Sequence, residues 1–131
     1  WGTVEDSAKA VEELLFGETA ATVVLAGFSQ GAAMASHVGM RQVSRVHGVM
    51  MMSGYLLESE EYPCPPATEA RPIGIFHGTE DSMVPLSAAE RTVEALTAAG
   101  HSPTLMTYGG LEHSVCDEEV RDVFAWLSDL V

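Results

Sequence analysis

The sequence predicts an α/β fold, with a mostly parallel sheet covered on both faces by helices in a three-layer α/β/α arrangement. Three observations point to it. Four short apolar, β-prone runs alternate with four stretches of helical periodicity. The runs are apolar at consecutive rather than alternate positions, as in strands buried on both faces. Hydrophobic residues make up 47 % of the 131 residues, enough for a real core in a chain whose length suits one domain over 1–131.

Taken in order, Val4, Ala8, Val11 and Leu15 recur on one helical face, and Gly17 supplies a stop. Thr22 to Ala26 is the first strand, expected to be buried on both faces, and Gly27 to Gly31 a turn. A small-residue helix follows over Ala32 to Arg41, then a second strand over Val46 to Ser53. Its Met50-Met51-Met52 run reads as core filling. Leu56 to Arg71 is a long polar loop with Pro63, Pro65 and Pro66 in it and Pro72 beside it; loops of that length are usually functional or mobile. Ile73 to Phe76 is the third strand. Ser87-Ala88-Ala89-Glu90 has the S-x-x-E form of a capping box, opening a helix with Ala89, Val93 and Leu96 on one face and an end at Gly100. Thr104 to Tyr108 is the fourth strand. The last helix opens on Asp117, Glu118 and Glu119, negative charges suited to a positive helix end, and carries an apolar stripe of Val120, Phe124, Leu127 and Val131.

The formal net charge is -13 with six Lys and Arg, all scattered. Nucleic acid and anionic membrane surfaces are therefore poor partners, since both need clustered positive charge. No apolar run approaches the roughly 20 residues that span a bilayer, so no stable membrane insertion is expected. Cys64 and Cys116 form no disulfide framework and have no zinc-ligand spacing, which fits a reducing, cytoplasmic setting. The chain opens on Trp1 rather than Met, which suggests a piece of a longer protein.

In open parallel sheets, ligand sites lie beyond the carboxyl ends of the strands. Gly27-Phe28-Ser29-Gln30-Gly31 follows the first strand and opens a helix, the setting in which G-x-S-x-G places a nucleophilic serine on a strained elbow. Glycines on either side are expected to let neighbouring backbone pass. The helix start offers free N–H groups, and that of Gln30 is placed to donate to an oxyanion. A serine hydroxyl is weak until a base takes its proton. His113, in the loop after the fourth strand, is the candidate base. The imidazole needs an orienting carboxylate, and the loop after the third strand offers Asp81, with Glu80 as its rival. The order Ser, Asp, His is that of the α/β hydrolases.

Three segments carry a resemblance: Gly-Phe-Ser-Gln-Gly-Ala-Ala-Met-Ala at 27–35, His-Gly-Thr-Glu-Asp-Ser-Met-Val-Pro at 77–85, and Glu-His-Ser-Val-Cys at 112–116. Together they resemble the phospholipase/carboxylesterase family, which includes the acyl-protein thioesterases, also called lysophospholipases. Ser-Gly-Tyr-Leu at 53–56 is similar to a family strand end, with Leu57 where the family has proline. The resemblance implies an α/β-hydrolase fold with Ser29, Asp81 and His113 as triad, Gln30 as oxyanion donor, and no metal or organic cofactor. It implies hydrolysis of carboxylic esters or thioesters through an acyl-enzyme; the substrate would be a small-molecule ester, a lysophospholipid or an S-acylated protein. The family's N-terminal strands, one ending in an H-G-x-G-type loop that supplies a second oxyanion N–H, have no counterpart before Thr3. The chain is thus expected to hold the C-terminal part of the fold, with the first strand left as an exposed edge. Two rival readings are a truncated, inactive hydrolase-like domain and another hydrolase activity, of peptidase or dienelactone type. Oligomeric state is left open.

The 56–72 loop leaves a strand on the active-site side and is expected to help form an acyl-binding wall. His77 reads as packed at a strand end rather than as a base. His37, His47 and His101 read as structural or exposed, Cys116 as packed at the last helix start, and Trp1 and Trp126 as packing residues.

Overall fold

The computed structural model describes residues 3–69 and 71–130. The packing role expected of Trp1 and the place of Val131 in the last helix lie outside them. Eight elements run in chain order: α1 (Val4–Phe16), β1 (Val24–Phe28), α2 (Gln30–Arg41), β2 (Gly48–Met52), β3 (Ile73–Gly78), α3 (Leu86–Ala98), β4 (Thr104–Tyr108) and α4 (Asp117–Leu130). The strands form one sheet in the order β1-β2-β3-β4, and every pair is parallel.

Two cores sandwich the sheet. On one face Val49, Met51, Ile73 and Ile75 pack against Ala8 and Leu15 of α1, Ala32 and Val38 of α2, and Ala89 and Leu96 of α3. On the other, Met50, Phe76 and Tyr108 meet Val123, Trp126 and Leu127 of α4. This is the expected three-layer arrangement, and Met50 and Met51 fill opposite cores.

Burial on both faces holds for β2 and β3 but not for β1 or for β4, where Thr104 and Thr107 are exposed. Ala26 and Phe28 of β1 are exposed, because β1 has β2 as its one neighbour among the described residues and α4 does not reach over it. Beside this edge an apolar groove of about 370 Å³ runs between α1 and α2, lined by Ala10, Val11, Leu25 and Met34. β1 also starts and ends two residues later than the apolar run suggests, so Gly27 and Phe28 belong to the strand.

Helix starts differ from expectation, with α2 opening at Gln30 rather than Ala32. The Ser87–Glu90 capping box does not form. Pro85, at φ -60° and ψ 151°, is the N-cap, with no side-chain cap. Its carbonyl accepts the Ala88 N–H at 2.8 Å, so the turn is already wound when the chain reaches Ser87. A capping box does form at α1, where the Asp6 N–H donates to Thr3 Oγ1 and the Thr3 N–H to Asp6 Oδ2, at 3.1 and 3.2 Å.

The rotation of α4 also differs. Val120 and Phe124 are 40 % and 65 % exposed, while Glu119 is fully buried. The cause is Trp126, whose ring occupies the space left by two glycines: a Cβ on Gly74 would lie 2.8 Å from it and one on Gly48 3.4 Å. Seating the largest side chain there turns the face bearing Glu119, Val123 and Trp126 inward, so Glu119 faces the core rather than the helix end. Both of its carboxylate oxygens lack a partner among the described residues.

Candidate active site

Ser29 lies between the last residue of β1 and the first of α2, with φ 58° and ψ -121°. That is a left-handed conformation which a side chain adopts only when its surroundings enforce it. The enforcement is visible. The Ser29 N–H donates to Met52 O of β2 at 2.8 Å, and Ser29 O accepts from the Ala32 and Ala33 N–H groups of α2. The chain must thus stop being a strand and start being a helix within one residue. A Cβ on Gly27 would lie 2.2 Å from the Gly31 carbonyl carbon, and one on Gly54 would lie 2.3 Å from Ala32 Cβ and 2.9 Å from Ser29 O. Gly27 and Gly54 therefore allow the close approach. Gly31 does not share that role, since its own Cβ would meet nothing within 4 Å among the described residues.

The loops after β3 and β4 are interlocked. The Thr79 N–H donates to Tyr108 O and the Glu80 N–H to Leu111 O, while the Gly110 N–H donates to Thr79 Oγ1. Gly78 makes the crossing possible, because a Cβ there would sit 2.2 Å from Leu111 O. This crossing carries His113 over the elbow. Its Nε2 is 2.9 Å from Ser29 Oγ and its Nδ1 2.7 Å from Asp81 Oδ2. An ionised carboxylate only accepts, so Nδ1 carries the proton and Nε2 accepts from the Ser29 hydroxyl. Phe28 packs its ring on the imidazole, with centroids 4.9 Å apart.

Asp81 is buried, and Glu80, its rival, is exposed. Asp81 Oδ1 accepts the N–H groups of Met83 and Val84 at 2.9 and 2.8 Å. Burial alone would raise the pKa of this carboxyl; the Val84 N–H, His113 and the Met83 N–H outweigh it and hold it below the usual value.

Gln30 opens α2. Its backbone N–H is one of the helix's unpaired leading donors and has no hydrogen-bond acceptor among the described residues. A small hollow of about 90 Å³ lies beside it, lined by Gln30, Met34, Tyr55 and Leu57 among others. The start of the 56–72 loop thus flanks the elbow. The loop is further tied to the helices, through Tyr62 to Glu5 of α1, Pro63 to Arg41 of α2 and Ala67 to Ala99 after α3; among its described residues Leu57 is the one that lines the hollow.

The other singled-out residues have packing roles. His37 packs edge-on against Tyr62. His47 Nδ1 accepts from the Val23 N–H, and His101 Nε2 meets Pro65 O. Cys116 lies against the Met50–Phe76–Tyr108 core, and Trp126 packs edge-on against Phe76. Both cysteines are free. Among the described residues no group of three or more His, Cys, Asp or Glu could hold a metal ion, and no helix is long and apolar enough to cross a membrane. Sequence reasoning missed Phe28, Gly54 and Gly78 as parts of the site. Their signal was there to read: each sits at or just beyond a strand's carboxyl end and within a segment that carries the family resemblance.

The chain is 33 % identical over 120 residues to acyl-protein thioesterase 1 of Gibberella zeae, covering 88 % of this chain and 51 % of that protein. It is 31 % identical over 122 residues to acyl-protein thioesterase 1 of Neurospora crassa, covering 90 % and 50 %. It thus spans about half the length of these relatives. The crystal structure of acyl-protein thioesterase 2 from Zea mays superposes with a TM-score of 0.79 at 24 % identity, over 97 % of this chain and 64 % of that one, a likeness of fold. The phospholipase/carboxylesterase family model matches residues 4–131, and the chain belongs to that family.

Proposed function

We propose that this chain carries the acyl-transfer site of a serine esterase or thioesterase. The observation that carries the reading is the unbroken relay from Ser29 Oγ through His113 to Asp81, with contacts of 2.9 and 2.7 Å. Ser29 Oγ attacks the carbonyl carbon of an ester or thioester as its proton passes to His113 Nε2. The tetrahedral oxyanion that forms takes the Gln30 N–H at the positive end of α2. On collapse, His113 returns the proton to the leaving alcohol or thiol, and the acyl group stays on Ser29. Water, deprotonated by the same imidazole, then releases the acid. Asp81 holds the Nδ1–H tautomer and stabilises the imidazolium that appears in each step. The names of the two fungal relatives favour S-acylated proteins as substrates, with lysophospholipids or small esters as alternatives.

A fluorophosphonate probe tests the nucleophile: the parent chain should label, and Ser29→Ala should not. Equal labelling of the two would refute the assignment. Comparing p-nitrophenyl esters, thioesters and peptides then sorts the substrate class. Turnover of peptides alone would favour the peptidase rival. Labelling without turnover of any substrate would favour a second reading, suggested by the half-length match to the relatives, in which this chain alone holds the geometry but not the full machinery.

A further inference from the structure

His77, the penultimate residue of β3, is fully buried and takes no part in the relay just described. Its Nε2 lies 2.6 Å from Val84 O. A carbonyl oxygen accepts and never donates, so Nε2 carries a proton and gives it to Val84. Nδ1 is buried with no partner among the described residues. A proton there would be an unpaired donor shut away from water, so the bare tautomer at Nδ1 is the one this site favours. Val84 is also the residue whose N–H donates to Asp81 Oδ1 at 2.8 Å. It is therefore held from two sides, its N–H by the aspartate and its carbonyl by the histidine. With Oδ1 engaged by Met83 and Val84, Oδ2 is the oxygen left to meet His113 Nδ1 at 2.7 Å. His77 Nε2 stands 3.8 Å from that oxygen, beyond hydrogen-bond range, so it does not compete with His113.

We propose that His77 is a positioning residue. Its bond to Val84 closes the 81–84 turn, and the closed turn aims Asp81 Oδ2 at His113. His77 touches no reacting atom and acts only through the carboxylate. The alternative is a buried strand-end histidine that stabilises the fold and nothing else. The kinetic part of this inference rests on the proposed function, but its spectroscopic part does not.

The experiment compares the parent chain with His77→Leu, His77→Gln and His77→Asn. One readout is the low-field proton NMR signal of His113 Nδ1–H in its bond to Asp81, which needs no turnover. Gln places an amide N–H near the position of His Nε2, whereas Asn is too short to reach Val84. The expected result is that Leu and Asn lose the signal and Gln keeps it. With an ester substrate, kcat should fall about 10²-fold in Leu and Asn at little change in KM, and Gln should recover most of it. If Leu does not fold, the Gln and Asn pair carries the comparison. Equal signals in Gln and Asn, or an unchanged signal in a folded Leu variant, would overturn the positioning role. So would a parent chain with no such signal. A normal signal pattern in a parent that turns over no ester would instead count against the proposed function and leave His77's role standing.

Discussion

Ser29 keeps a left-handed backbone, φ 58°, that serves the proposed chemistry and strains the chain. Such strain typically costs 1–3 kcal/mol. Glycine accepts the same angles freely but loses more entropy on folding. Ser29→Gly should therefore stabilise the protein by a net of about 1 kcal/mol while abolishing fluorophosphonate labelling. A lower melting temperature in that variant would mean the elbow is not strained. Asp81 makes the opposite trade. Its folded pKa lies below the ordinary carboxylate value, so its contribution to stability is present above that value and is lost as pH falls through the folded pKa. Asp81→Asn should thus flatten the loss of stability on acidification. On the proposed function it should also lower kcat about 10⁴-fold through the wrong imidazole tautomer. An acid unfolding curve that overlays the parent's would contradict the first expectation.

Between elements, two contacts decide how the site is assembled. The β3 and β4 loops cross at Gly78, where a Cβ would stand 2.2 Å from backbone and neither partner can rotate away. Gly78→Ala should destabilise by about 1–3 kcal/mol and displace His113, so probe labelling should fall even at temperatures where the variant is folded. Full labelling in a folded Gly78→Ala chain would show that the loop tolerates the shift. The docking of α4 brings in Glu119, which is fully buried. Burial first, and then Asp122, pushes its pKa up to about 7. Between the ordinary carboxylate range and about 7 the folded chain keeps a proton that the unfolded chain has released. Folding takes up a proton in that window, and stability falls as pH rises through it. Glu119→Gln should therefore raise the melting temperature more at pH 8 than at pH 5, and calorimetry at the two values reads the difference directly. The same gain at both would show that Glu119 is not held protonated.

Across the whole molecule, a net charge of -13 keeps copies apart, while the open edge of β1 invites pairing. Raising ionic strength should increase light scattering of the parent chain by screening that repulsion. Ala26→Lys, on the exposed face of that edge strand, should suppress the increase; scattering that ignores both salt and lysine would absolve the edge. The strands were legible because continuous apolar runs such as Val23-Val24-Leu25 and Ile73-Gly74-Ile75-Phe76 are a local signal. Ser29, Asp81 and His113 were legible because each sits just past such a run. The rotation of α4 was not, since it depends on two glycines more than fifty residues upstream of Trp126 making room for one indole. Nor was the failed cap at Ser87, where Pro85 acts first, or the His77 clasp, a bond that spans seven positions of irregular chain. The relay itself joins Ser29 to residue 113, 84 positions away, in a sheet without a single hairpin pairing. Distant parallel pairings give no early local nucleus and are slow to form. During synthesis Ser29 leaves the ribosome long before His113, and on the proposed function it stays chemically silent until the last strand and its loop arrive. The serine's reactivity is then a clock for completed folding: in a refolding experiment, probe labelling should lag the recovery of helical circular dichroism, and labelling that kept pace with it would place the relay early.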